Sequence, residues 1–231
     1  MCTRDKLIQE YINIDSKMKQ EKKEILDKLK GNNALNVAVQ IVTDSNLCII
    51  LSCPGEEELM HDKVCFGETG SNLDFVLNIL TNGNDLIKGG TNSACNGGKI
   101  RYNFSIFNAS NKVYFREYNE AEASDKEILS AENKKRLEEG LKQIQQIDYF
   151  ILCGEKAKLL YPLISSKYQS AKISPVCHLG NVGIRNEYKN QKTQLKNGKF
   201  LSDIEESQRD EERLKIIADK IREDFLKDND I

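Results

Sequence analysis

Three short stretches of the chain hold side chains that could act on a bound ligand. The first is Ser52-Cys53-Pro54-Gly55, which closes the apolar run LCIILS of residues 47–52. The second is Asn108, at the end of Phe104-Ser105-Ile106-Phe107, and the third is His178, after Ile173–Cys177. An asparagine offers an amide donor and a carbonyl acceptor side by side. A fixed histidine N–H can stabilise an oxygen that gathers negative charge. Phe66 adds an aromatic face, and a hydroxyl such as Ser52 can orient water but is a poor general base at neutral pH. Each residue also has an ordinary role open to it. Asn108 suits a turn, His178 a satisfied core or surface position, Phe66 the core, and Cys53 is a small packing residue as readily as a nucleophile.

These residues matter only if strands bring them to one place. LCIILS and Asp148–Cys153 (DYFILC) are unbroken apolar runs of the kind buried on both faces of a parallel sheet. Asn36–Thr43, Asn103–Phe107 and Ile173–Cys177 read as further strands, and 112–116 as another candidate. Helical spacing of apolar residues predicts helices over 4–30, 71–80 and 202–228. Ser124-x-x-Glu127 and Ser202-x-x-Glu205 are capping-box patterns, the first opening a helix to about Gln146. Gly154 turns the chain from DYFILC into another helix. Alternating strands and helices predict an α/β three-layer sandwich with a central, mostly parallel sheet. It would form one domain over 1–231, with its core at 36–186. Ligands of such sheets bind at strand carboxyl ends. The loops after Ser52, Phe107 and Cys177 are therefore the expected site.

Composition narrows the classes. The chain has 39 % apolar and 30 % charged residues, a globular balance. No apolar run approaches a membrane span, and the amino-terminal stretch lacks a signal core. A cytoplasmic protein without membrane contact is expected. Seven cysteines with no C-x-x-C pair and two histidines favour reduced, packed thiols over a metal site. The net charge is −2, yet residues 203–231 hold eleven acids and six bases, leaving +3 on 1–202. Residues 167–199 hold seven bases and one acid, Glu187. Such a stretch suits a polyanion or a solvated loop equally.

Taken in order, the motifs resemble the uracil-DNA glycosylase superfamily. Leu51-Ser52-Cys53-Pro54-Gly55 is similar to its first motif, a strand followed by Pro-Gly. Val64-Cys65-Phe66-Gly67-Glu68-Thr69-Gly70 resembles its aromatic, glycine turn and helix, closest in order to the single-strand-selective branch. Phe104–Asn108 is similar to the strand whose terminal Asn reads the base edge. Gly154-Glu155-Lys156-Ala157 and Cys177-His178-Leu179-Gly180-Asn181 resemble the later glycine turn and second catalytic motif. The match spans about residues 47–186.

The resemblance implies hydrolysis of an N-glycosidic bond in single- or double-stranded DNA by a monomer, with base flipping and no cofactor or metal. Ser52, Asn108 and His178 would be catalytic. Cys53, Phe66, Asn108 and His178 would hold the base, with Cys65 an alternative for the aromatic position. Pro54, Gly55, Gly180, Asn181 and Arg185 would meet DNA, and Asn181, Val182 or Arg185 would supply a wedge. Many relatives carry a carboxylate or amide where this chain has Ser52 and Cys53. That departure points to a damaged or modified base, such as one in invading phage DNA, as readily as to uracil. A catalytically inactive nucleotide-binding member is the alternative, and an enzyme of free nucleosides a third reading. Glu56, Glu57, Glu58, Asp62 and Glu68 form an acidic cluster beside the first motif. Most are expected to face solvent or cap a helix, although one could bind an exocyclic amine or hydroxyl.

Overall fold

A computed structural model of the chain describes residues 4–13, 21, 23–25, 27–28, 39–83, 86–90, 98–113 and 123–227. Its centre is a sheet of four parallel strands: β1 (Leu47–Leu51), β2 (Ser105–Asn108), β3 (Tyr149–Cys153) and β4 (Lys172–Val176). The spatial order is β2-β1-β3-β4. Leu51 lies opposite Asn108, Ile50 opposite Leu152, and Cys153 opposite Val176. The two unbroken apolar runs became the two central strands. All five β1 residues are buried, because successive side chains enter opposite layers.

Leu47, Ile49 and Leu51 point into one layer with α3 (Glu68–Thr81) and α9 (Glu206–Leu226), meeting Leu73, Leu77, Ile217 and Ile221. Cys48 and Ile50 point into the other, which α4 (Asp125–Ile128), α5 (Ala131–Leu141), α6 (Glu155–Lys158) and α7 (Tyr161–Lys167) cover. The other helices are α1 (Arg4–Asn13), α2 (Glu56–His61) and α8 (Asn181–Glu187), whose Ile184 joins the first of these layers. The fold is a three-layer α/β sandwich. Among the described residues no helix is long and apolar enough to cross a membrane. Cys48, Cys65, Cys153 and Cys177 are buried as reduced thiols.

The edges explain several departures. Pro175 has no N–H to give, which fits β4 because that strand has a neighbour on one side only. At the other edge the described part of the expected strand over 36–43 holds one antiparallel bridge, Gln40 to Ile106. Residues 36–38 lie outside the described set. Ser105 Oγ takes the Val42 N–H at 2.9 Å, drawing the chain off the edge after that bridge. Likewise Lys112 forms a lone bridge, and 114–116 fall outside the described residues.

Helix ends were less legible. The Ser124–Glu127 capping box is present, but α4 stops at Ile128. A second serine, Ser130, accepts from the Asn133 N–H and starts α5, which ends at Leu141. At the carboxyl end Ser202 sits in a 3-10 turn, and Glu205 occupies the cap of α9. Arg209 Nε donates to the Leu201 and Ile204 carbonyls and so holds that turn apart from the helix. Of the expected helix 4–30, α1 is seen, and residues 21, 23–25 and 27–28 are helical.

Candidate functional site

In the order β2-β1-β3-β4 the chain leaves β1 toward one edge and β3 toward the other. The loops beyond their carboxyl ends diverge, and a crevice opens there. It is a cleft of about 580 Å³. Ser52, Cys53, Pro54 and Gly55 line it after β1, and Phe66 and Thr69 at the start of α3. Glu155 and Lys156 enter from the β3 side, and His178, Gly180, Asn181 and Val182 from the β4 side. Asn108 and Arg185 do not line it.

His178 is the best-prepared donor. The Gly180 N–H donates to its Nδ1 at 3.0 Å, so in the neutral ring the proton resides on Nε2. The ring is wedged among glycines. A Cβ at Gly154, whose φ is +89°, would meet His178 Cδ2 at 3.5 Å and Ser52 Oγ at 2.4 Å. A Cβ at Gly183 would come within 2.9 Å of the histidine Cβ. A side chain at Gly183 would displace His178 and one at Gly154 would push on Ser52, so the two glycines let these segments approach one another.

Ser52 is buried and its hydroxyl donates to the Cys153 carbonyl at 3.1 Å. Its proton therefore ties two strand ends together, while its lone pairs remain acceptors. Cys53 is half-buried at the wall. Phe66 is half-buried, but His61 stacks on it with ring centroids 4.0 Å apart, and Lys99 Nζ lies 5.2 Å from its centroid. One face of the phenyl ring is thus already used by the protein. Cys65 adopts φ 56° and is buried, so it supports the turn and presents no ring.

Asn108 sits deeper than expected, at 3 % exposure. Arg136 Nη2 donates to its carbonyl at 2.9 Å, and Asn133 Nδ2 to that of Ala109 at 2.7 Å. Burial pulls the Arg136 guanidinium down to about 10. These bonds fold the end of β2 onto α5, away from the cleft. Among the described residues the Asn108 amide meets the cleft only through Glu58, to whose Oε1 its Nδ2 donates at 3.5 Å, and its Oδ1 has no hydrogen-bond partner among them.

Glu58 is the residue that the motif reading did not single out. It lines the cleft, is 7 % exposed, and ties three segments together. Gly55 N–H donates to Oε2 at 2.6 Å, and Cys65 N–H and Asn108 Nδ2 share Oε1. Burial pushes its carboxyl above the ordinary value, against the lowering by those donors. The sequence carried a signal for it. Glu58 stands three residues after a helix-capping glycine, where a carboxylate reaches back to the cap N–H. Of the other acids of the cluster, Glu57, Asp62 and Glu68 are exposed and Glu56 is half-buried.

The loop after β4 is held rigidly. Glu68 accepts from the Asn181 N–H at 3.0 Å and from its side-chain amide, while Asn72 donates to Asn181 Oδ1 and to the Leu179 carbonyl. Directly after these anchors, at the start of α8, Val182 stands 69 % exposed at the cleft rim. Arg185 is turned away and pairs with Asp210, which also takes Arg213. Other bases of the 167–199 stretch are paired as well, Lys167 with Glu138 and Lys196 with Asp219. The basic and acidic blocks of the sequence thus partly neutralise one another across the fold. Lys156 at the rim pairs with Asp125 at 2.7 Å. Among the described residues no three His, Cys, Asp or Glu side chains gather as a metal site requires.

No protein-family model matches the chain, and no curated protein matches it.

Proposed function

We propose that the chain is a DNA glycosylase that hydrolyses the N-glycosidic bond of a flipped uracil, damaged or modified base. The observation that carries this reading is the place of His178, whose Nδ1 accepts from the Gly180 N–H, in a cleft at the switch point of the sheet. Breaking the bond between the sugar C1′ and the base nitrogen sends the electron pair into the base. A donor aimed at a base carbonyl oxygen stabilises that charge. Water adds to C1′ as hydroxide and its proton passes to the departing base. Loss of one such donor lowers the rate by roughly 10²–10³-fold in enzymes that use them. Val182 is the exposed apolar residue of the β4 loop and suits insertion into the gap left by the base.

The reading also includes membership of the uracil-DNA glycosylase superfamily, which the order of the motifs and the parallel sheet support. Cytoplasmic location and a monomeric state belong to the same proposal.

A second reading is favoured by a specific observation. Ser52 spends its proton on Cys153, and Glu56, Glu57, Glu58, Glu68 and Glu155 line the cleft beside one lysine, Lys156. A binder of nucleotides or nucleic acid that does not hydrolyse fits those features. Incubation with oligonucleotides holding uracil or modified bases, followed by alkali, separates the two. Strand scission at the base position supports the enzyme, and binding without scission supports the binder.

A further inference from the structure

We infer that Glu58 is the positioning residue of the cleft wall: its carboxylate fastens the turns at Gly55 and Cys65 to the end of β2, and taking up a proton loosens that wall and its hold on a ligand. The part that concerns a ligand rests on the proposed base-binding role of the cleft.

The fastening acts at both ends of α2. Gly55 N–H donates to Oε2 at 2.6 Å, while Cys65 N–H and Asn108 Nδ2 converge on Oε1. Gly55 and Cys65 line the cleft, and so do their neighbours Pro54 and Phe66. Each tether therefore holds backbone of the wall itself. Asp62 and Cys65 adopt φ of 48° and 56°, a left-handed conformation that persists in a non-glycine residue when surrounding bonds enforce it. Leu59 is fully buried and keeps α2 in place, so loss of the tethers frees the two turns and leaves the helix.

A carboxylate suits three N–H donors, because its charge makes each bond roughly twice as strong as a neutral one. Protonation removes the charge and adds a hydrogen beside Asn108 Oδ1, an acceptor with no hydrogen-bond partner among the described residues. Turning the Asn108 amide over lets Oδ1 accept from Oε1–H, and Oε1 then no longer serves the Cys65 N–H. Burial pushes the Glu58 carboxyl above its ordinary value, so this proton arrives in milder acid than at an exposed glutamate. An acid whose folded pKa is raised adds stability below its unfolded value and loses it as pH rises through the folded one. Protonation of Glu58 therefore does not unfold the chain, and the loosening is local. The Cys65 thiol, pushed up by burial and then by the Glu58 charge, is the nearest ionisable neighbour, with Arg101 and Asp74 acting on the same thiol. Arg136 holds the backbone carbonyl of Asn108. Glu57 and His61 on α2 and His178 across the cleft also take up protons in acid, so substitution has to assign the response.

The test is a pH titration of the full chain and of Glu58→Gln. Backbone amide NMR follows Gly55 and Cys65, and hydrogen exchange follows residues 54–66. Fluorescence anisotropy follows oligonucleotides holding uracil or 5-hydroxymethyluracil and a pH-insensitive dye. In the wild-type chain the two amide signals are expected to shift with one shared midpoint above the ordinary glutamate value. Exchange should rise below that midpoint, and Kd should increase by roughly tenfold across it. Glu58→Gln should bind weakly at every pH, with the amide titration gone. Amides that do not titrate together overturn the proposal, as does wild-type affinity that ignores the midpoint or an acid loss of binding that survives in Glu58→Gln. The wild-type titration stands alone if the variant fails to fold. If neither oligonucleotide binds at any pH, the base-binding reading fails, while the amide signals and exchange still decide the latch.

Discussion

The hydroxyl of Ser52 and the backbone of Gly154 approach so closely that a methyl group on residue 154 would stand 2.4 Å from the oxygen. The contact joins the ends of β1 and β3 at the point where the cleft opens, and His178 leans on the same glycine. Gly154→Ala should therefore fail twice. It forces an L side chain into φ +89° and pushes Ser52 and His178 apart. Destabilisation of about 1–3 kcal/mol is expected by chemical denaturation. Binding of base-containing oligonucleotides should fall further than stability alone explains.

His178→Ala removes the Nε2 donor and leaves a half-buried gap. Base release should drop by roughly 10²-fold or more. The melting temperature should change little, because the ring is not part of the apolar core. A variant that keeps full activity would remove the histidine from the chemistry.

The β4 loop should depend on Glu68. Glu68→Ala leaves the Asn181 N–H and amide without their acceptor. The loop then keeps only the Asn72 bonds as its anchor to α3, and oligonucleotide affinity should weaken several-fold with the fold intact. Proteolytic cleavage within 180–183 should become faster, which gives a readout independent of binding.

Asp210 gives a pH prediction with a definite sign. Its hydrogen bond with Arg185, helped by the charges of Arg185 and Arg213, holds the carboxyl below the ordinary value. The folded pKa is lower than the unfolded one, so the contribution is present at neutral pH. It is lost as pH falls through the folded value. Asp210→Asn should cost roughly 1 kcal/mol at pH 7, and the difference from wild type should shrink in acid. Freed from its partner, Arg185 should also raise affinity for oligonucleotides at low salt.

Arg101 is fully buried and pairs with Asp74, its Nε and Nη2 having no hydrogen-bond partner among the described residues. Asp74→Asn would strand that charge. Removing one member of a buried pair costs on the order of 3–5 kcal/mol, so a large fall in the denaturation midpoint is expected.

The strands were legible because their cause is local. Leu47–Leu51 and Phe150–Cys153 are apolar on every residue, which suits a strand covered on both sides. The Gly154 turn and the cap at Ser124 were legible for the same reason, each resting on residue types a few positions apart. Less legible were elements that depend on distant partners. Residues 36–43 have strand-like composition, yet Ser105 captures Val42, and the described residues 39–43 hold a single bridge. Asn108 ends its strand as expected, but Arg136 and Asn133 from α5 draw that end away from the cleft.

The sequence by itself determined the layered α/β architecture and the meeting of Ser52–Gly55, Phe66 and His178 at one end of the sheet, because apolar periodicity dictates which faces must be covered. Only the tertiary structure decided which polar group reaches the cleft. Five acids look alike in the chain, but burial and three converging N–H donors single out Glu58. Seven bases suggest a patch until α9 brings Asp210 and Asp219 against Arg185 and Lys196. Charge and hydrogen bonding act through space over a few ångströms, and spacing along the chain does not report those distances.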